Sequence, residues 1–415
     1  MSTLKVLARA CGQEQVSAGT DKDAVDGVRP SYVATPRDAD AVAAVMAVAD
    51  DENLRVVARG AGSKLSWGNP PTNVDLVLDL SGLDAVLEHA AGDLIVRVQP
   101  GVRLAQLQDA LAPAGQRLAI DEVVPGSTVG GIIATGLSGP SRLLHGAVRD
   151  LLIGVSVVRA NGVAARSGGR VVKNVAGYDL CKIYTGSYGT LGIITEAIFR
   201  LHPIPAATAY IAVSAPDEET AGAKVAAVLA SQVTPTAIEV DRPSPDSQMT
   251  ICVLVEGFGP GVTARAARVE ALLGTDAVVS THRPPWWGLL PTAATTIRMT
   301  CQPSGVTAVA RAVARAVARG GAAVHASVRG SAGTGVLYAG IAAEADPAEV
   351  ARLLTEVRGV CAAEGGSAVL LDAPAPVKAL VDVWGPIPAI TLMRKVKQSF
   401  DPQRRLSPGR FVGGI

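Results

Sequence analysis

Glycine is concentrated in three stretches of this chain, each beside an apolar strand or a helix start, and that arrangement limits what the chain can fold into. The longest stretch runs Gly168-Gly169-Arg170-Val171-Val172-Lys173-Asn174-Val175-Ala176-Gly177-Tyr178-Asp179-Leu180 and continues to Gly186-Ser187-Tyr188-Gly189-Thr190-Leu191-Gly192. It leads into an apolar, β-branched strand from Leu191 to Phe199 that Pro203 and Pro205 stop. Glycines this dense let backbone amides approach something flat and charged. A loop between two core strands is the plainer reading, but Lys173, Asn174, Tyr178 and Asp179 are too many polar residues for a simple turn.

Two upstream turns favour the ligand reading. Arg59-Gly60-Ala61-Gly62-Ser63-Lys64 follows a short strand, Leu54 to Ala58. Gly60 and Gly62 supply donors at close range without side-chain bulk, which a nucleotide diphosphate requires. Gly62-Ser63-Lys64 looks like the end of a phosphate loop, but the upstream glycine is missing and no Ser or Thr follows the lysine, so that motif is rejected. The second turn, Pro125-Gly126-Ser127-Thr128-Val129-Gly130-Gly131, opens a helix through Ile132, Ile133 and Ala134 and aims its positive end at an anion. A Pro-Gly turn before a buried helix stays open as the alternative.

Taken in order, these turns resemble the flavin domain of the vanillyl-alcohol-oxidase family, the p-cresol-methylhydroxylase-type (PCMH-type) FAD domain, from about Pro30 to Pro205. Phe400-Asp401-Pro402 and Pro408-Gly409-Arg410 extend the likeness into the tail. Lys173 to Leu180 together with Gly146-Ala147-Val148-Arg149-Asp150 is most similar to the FAD-binding subunits of bacterial glycolate oxidases. The resemblance implies an α+β fold: a two-subdomain FAD-binding domain plus a ferredoxin-like antiparallel-sheet cap. It implies boundaries at 1–29 for a lead-in, 30–205 for the FAD domain, 206–385 for the cap and 386–415 for a segment returning to the FAD domain. FAD contacts are implied at Arg59, Gly60, Ala61, Gly62, Ser63, Lys64, Pro125, Gly126, Ser127, Thr128, Gly130, Gly131, Ala134, Ser138 and Arg142. Gly146, Asp150, Lys173, Asn174, Gly177, Tyr178, Asp179, Gly192, Ile193, Ile194 and Arg410 complete that set. Members with covalent FAD commonly carry a histidine after the first glycine turn; Ser63 and Lys64 stand there here, which implies non-covalent FAD. Ser407 replaces an asparagine usual in the tail, and Trp67 is either packing or a flavin neighbour.

Length and composition fit this. A chain of 415 residues makes two or three domains with ample core. A formal charge of +1 without blocks of like charge gives no electrostatic case for nucleic acid or an anionic membrane. Cys11, Cys181, Cys252, Cys301 and Cys361 are isolated and odd in number, without metal-site spacing, which points to a reducing compartment. No apolar run reaches transmembrane length and no signal-peptide pattern opens the chain, so a cytoplasmic protein is expected, with attachment to the inner membrane through partners left open.

After Pro205 the pattern changes. Helix 217–229, strands 236–240 and 250–256, helix 262–273 and strand 277–281 are expected, followed by strand 295–301, helix 305–319, strands 322–328 and 335–341, helix 347–363 and strand 367–371. This double α-β-β pattern suggests a ferredoxin-like sheet with helices on one face. Arg311, Arg315 and Arg319 share a helical face that reads as a solvated stripe. Trp286 and Trp287, bracketed by prolines, are read as unable to enter one core together, leaving the flavin pocket or a partner surface.

Oxidation of a 2-hydroxy acid needs a cation for the carboxylate, a base for the hydroxyl proton and the flavin. The metal-holding histidine cluster of related catalytic subunits is absent, and His89, His145, His202, His282 and His325 are scattered, so no metal site is expected. His325, Ser327 and Arg329 share one strand face by alternation, with Arg298 on a neighbouring strand. They form either a carboxylate pocket or an exposed face. Two functions follow: a non-covalent FAD subunit beside a catalytic flavin subunit and an iron–sulfur subunit of a glycolate oxidase-type complex, or a self-sufficient 2-hydroxy acid dehydrogenase using Arg298, His325 and Arg329. A purely structural relic is the third.

Overall fold

The structure, a computed structural model, describes residues 2–170, 178–320 and 325–415. Several of its helices begin at side chains that cap them. Asp38 accepts the Ala41 N–H at 2.7 Å and opens Ala39–Asp51; Asp217 accepts the Thr220 N–H at 2.7 Å and opens Glu218–Leu229. Pro347 stands in the first turn of Pro347–Ala363, where its missing N–H costs nothing. The chain divides into two compact units: Met1–Leu137 with Ala147–Ile204 and Pro386–Ile415, and Ser138–Gly146 with Pro205–Gly385.

The first unit holds two main sheets. One has the order Val16–Ala18, Tyr32–Ala34, Leu76–Asp79, Val56–Arg59, the last three parallel. Helices Thr3–Cys11 and Ala39–Asp51 close it, burying Leu7, Val42, Val45 and Met46 with Val56, Leu76 and Leu78. The tail extends its edge: Leu406 bridges Val56 in parallel, with the Ser407 N–H on Val56 O at 2.9 Å. The other sheet is antiparallel, in the order Val86–Ala90, Ile95–Val98, Ile193–Arg200, Leu152–Val158, Ala164–Gly168. Leu104, Leu107 and Leu111 from helix Leu104–Leu111 enter its core at helical spacing, each contributing about 1.5–3 kcal/mol of burial. The two edge strands escaped the sequence reading because their residues are exposed or half-buried and show no apolar alternation.

The second unit is built on one eight-stranded antiparallel sheet. Its first half runs strand Ala207–Ala215, helix Glu218–Leu229, strands Ala237–Arg242 and Met249–Gly257, helix Gly259–Leu273 and strand Val278–Ser280. The second half repeats this with Thr295–Thr300, Val306–Arg319, Ala326–Ser331, Val336–Ile341, Pro347–Ala363 and Ser367–Asp372. Each is a complete β-α-β-β-α-β ferredoxin-like unit, and the halves join edge to edge where Ala237–Arg242 pairs with Ala326–Ser331. The strand Ala207–Ala215 was not anticipated: four alanines dilute its apolar signal. The arginine stripe is solvated, as expected, with Arg311 on Glu219 at 3.3 Å and Arg319 on Glu356 at 3.1 Å. The tryptophans correct the sequence reading. Trp287 is buried among Ala237, Cys252 and Leu254, and Trp286 packs beside it with ring centroids 6.0 Å apart.

Candidate functional site

The parallel strands Val56–Arg59 and Leu76–Asp79 end at the same side of their sheet, the side where open α/β sheets carry ligands. There a cleft of about 780 Å³, open to solvent, is lined by the first glycine turn (Arg59 to Lys64), by Thr128, Gly130 and Gly131 of the second, and by Tyr188, Gly189, Gly192 and Ile194. The turns meet because glycine lets them. A Cβ on Gly60 would lie 2.3 Å from Thr128 Oγ1, and one on Gly130 would lie 2.7 Å from Pro100 Cβ. Gly62, at φ +76°, bends the first turn around the opening.

The first and second turns differ in what their amides do. Among the described residues, the N–H groups of Gly60, Ala61, Gly62, Ser63 and Lys64 donate to nothing within the chain. In the second turn, Val129 donates to Val102 O at 2.9 Å, Gly130 to Pro100 O at 2.8 Å and Gly131 to Thr128 Oγ1 at 3.3 Å. The expectation that the second turn offers its helix amides to an anion is therefore corrected. Thr128 caps the seven-residue helix Val129–Thr135 itself, and the turn serves as a wall.

Three cations line the cleft. Arg59 is committed to Asp79 at 2.7 Å and Asp23 at 3.0 Å, so its guanidinium holds the turn rather than a ligand. Arg410 reaches in from the tail and donates to Leu65 O at 2.6 Å and Trp67 O at 3.0 Å; burial lowers its pKa. Lys64 is buried, donates to Ser127 Oγ at 2.6 Å, and has its pKa lowered by burial to about 8, with Glu122 pulling the other way. Trp67 is core rather than lining.

Other predicted residues fall elsewhere. Lys173, Asn174 and Gly177 lie outside the described residues. Tyr178 is 91% exposed, and Asp179 pairs with Lys182 at 3.5 Å, so neither lines the cleft. Asp150 is a cap: its carboxylate accepts the Ala147 N–H at 2.9 Å. Gly126 hands its N–H to Glu122 and its carbonyl to Arg103, and Pro125, like Gly126, is not a lining residue. Ile193 belongs to the core while Ile194 and Ala134 line the cleft. Ser138, Arg142 and Gly146 belong to the second unit, where Arg142–His145 is a short helix ended by Gly146 at φ +85°. Ala58, Leu65, Leu80, Pro100, Thr135, Tyr188 and Gly189 were missed. Only Tyr188-Gly189 carried a signal, a second glycine pair in the long run; Tyr188 takes φ +55° and stacks on Phe411 at 5.5 Å.

In the second unit, strand register sets Asp241, Arg329, Tyr338 and Arg298 in one row. Arg329 gives its Nε–H to Asp241 at 2.7 Å and lies 5.9 Å over the Trp286 ring, so it is already neutralised. His325 is exposed and precedes the strand, outside this row. Arg298 is half-buried and, among the described residues, makes no ion pair. Burial raises the pKa of Tyr338, and Arg298 and Arg142 oppose that rise. The proposed trio is thereby reduced: Arg298 keeps its availability, Arg329 does not.

The comparisons agree with this architecture. Residues 30–168 match the FAD binding domain family and residues 292–411 the C-terminal domain of FAD linked oxidases. Glycolate oxidase subunit GlcD of Bacillus subtilis is 35% identical over 217 residues, 52% of this chain and 46% of that one. Glycolate oxidase subunit GlcE of Escherichia coli is 37% identical over 155 residues, 37% of this chain and 44% of that one. The matched segments thus span under half the length of these two relatives, whereas an uncharacterized FAD-linked oxidoreductase of Mycobacterium tuberculosis matches at 29% identity over 93% of this chain and 91% of its own. The solved structure of p-cresol methylhydroxylase with substrate bound superimposes with a TM-score of 0.74 at 16% identity, covering 98% of this chain and 96% of that one, which fixes the fold as PCMH-type. Unengaged amides on a glycine turn and buried cations are what a dinucleotide's diphosphate needs, and the chain carries both an FAD binding domain and the C-terminal domain of FAD linked oxidases.

Proposed function

We propose that this chain is the FAD-binding subunit of a glycolate (2-hydroxy acid) oxidase or dehydrogenase complex in the cytoplasm. In this reading it holds FAD non-covalently beside a catalytic flavin subunit and an iron–sulfur subunit, and either relays electrons or supports the assembly. The observation that carries the reading is the contrast in charge. The cleft keeps Lys64 without a carboxylate partner where covalent relatives place histidine, whereas in the cap row Arg329 is closed on Asp241. Bound FAD supplies the two-electron acceptor. The amides of Gly60 to Lys64 would hold its diphosphate, while Tyr188, Gly192 and Ile194 wall the cleft. No described helix is long and apolar enough to cross a membrane.

The purified chain should be yellow, should release its flavin on acid precipitation, and should turn over glycolate or D-lactate with a dye acceptor only feebly by itself. Robust turnover by the isolated chain would favour the second reading, a self-sufficient 2-hydroxy acid dehydrogenase. That reading draws on Arg298, available beside Tyr338 to take a carboxylate. Its signature is anaerobic bleaching of the flavin band by glycolate, lost in Arg298→Ala.

A further inference from the structure

Lys64 is a buried cation without a counterion. The residue is 9% exposed, its ammonium donates to Ser127 Oγ at 2.6 Å and Ser63 Oγ at 3.2 Å, and among the described residues no carboxylate lies within ion-pair distance. Two hydroxyls satisfy N–H groups but neutralise nothing. The charged and titratable groups around it come from every wall. Glu122, from the segment before the second turn, acts at a distance, and Arg59 of its own turn is closed on Asp79 and Asp23. Arg410 from the tail adds positive charge, and Tyr188 lines the same cleft. Taking an ion from water without a partner costs several kcal/mol, and burial accordingly pushes Lys64 down to about 8. Five unengaged amides in the same turn add to the positive potential. The turn is electrostatically complete only with an anion in it.

We propose that Lys64 couples proton binding to cofactor binding: it takes up a proton from solvent as the anionic dinucleotide enters, and its ammonium then retains the ligand without a covalent link. This rests on the non-covalent FAD reading. Ligand-free Lys64 loses its proton above about pH 8 while the loaded form keeps it, so FAD affinity is greatest below that pH and falls by up to about tenfold per pH unit above it.

The test is a titration of the full-length apoprotein with FAD, followed by flavin fluorescence, from about pH 6.5 to about pH 9.5. The wild-type Kd should be flat at the acid end and climb above about pH 8, and calorimetry in buffers of different ionisation heat should show uptake approaching one proton near pH 9. Lys64→Met should bind about tenfold or more weakly at neutral pH, with no slope. Lys64→Arg should keep the neutral-pH affinity and also lose the slope, since a guanidinium does not titrate there; it keeps the test decisive if Lys64→Met fails to fold. A flat wild-type curve, or an unchanged slope in Lys64→Arg, overturns the proposal while leaving non-covalent FAD standing. Flavin that stays with acid-precipitated protein, or an apoprotein that takes up no FAD at any pH, overturns both.

Discussion

Two buried lysines of the flavin-binding unit stand in opposite conditions. Lys397 gives its three N–H bonds to Asp401 Oδ2 at 2.7 Å, Thr190 O at 2.8 Å and Leu406 O at 2.9 Å, tying the tail to the turn that carries Tyr188 and Gly192. Its carboxylate partner is wholly buried and is itself held by the N–H groups of Arg405 and Leu406. Lys64 has two hydroxyls and no anion. Burial lowers the pKa of both, but only Lys397 has an adjacent carboxylate working against it. The difference separates a charge that completes the fold from one that waits for a ligand. In the other unit, the pair Arg329–Asp241 belongs with Lys397 and Arg298 with Lys64.

Substitution should give the two lysines opposite signs. Lys397→Met leaves Asp401 as a buried, uncompensated carboxylate and should cost about 3–5 kcal/mol in urea unfolding. Lys397→Met with Asp401→Asn should recover part of it; a double variant no better than the single would break the comparison. Lys64→Met should instead stabilise the FAD-free protein near neutral pH by up to about 3 kcal/mol, because a folded-state pKa near 8 against 10.5 is a cost wherever the lysine is charged. Between those values the unfolded chain binds more protons, so wild-type apoprotein stability should rise with pH through that window. Lys64→Met should lack the rise, and a chemical-unfolding series across the window decides it. Gly60→Ala should cost about 1–3 kcal/mol and widen the cleft, since its Cβ would meet Thr128 Oγ1 at 2.3 Å. Its thermal midpoint and FAD affinity should fall together. Arg311→Ala, removing an exposed pair with Glu219, should change stability by less than about 1 kcal/mol.

Most helices were readable because their signals are local. Helix Pro347–Ala363 occupies the predicted residues, and the helix expected over 217–229 runs Glu218–Leu229 with Asp217 as its cap. The strand Ala207–Ala215 escaped because alternation with alanine is weak, and the edge strands because exposed residues carry no pattern. In the cleft, glycine spacing located the first turn fully. Its position could not say that Arg59 is neutralised, or that Asp150 turns back to cap its own helix. The indole pair was misread because an argument about neighbouring side chains neglected the loop's freedom to lay both rings on one sheet face.

The sequence by itself determined the first glycine turn, the doubled alternation of helices and strands apart from the opening strand Ala207–Ala215, and most of the core periodicity, since each depends on residues a few positions apart. Tertiary structure alone decided which amides remain open and which charges are answered. Those answers come from across the chain: Ser127 lies 63 residues from Lys64, Asp241 lies 88 from Arg329, and Thr190 lies 207 from Lys397. Electrostatic compensation depends on distance in space and on exclusion of water, and neither is written in local spacing.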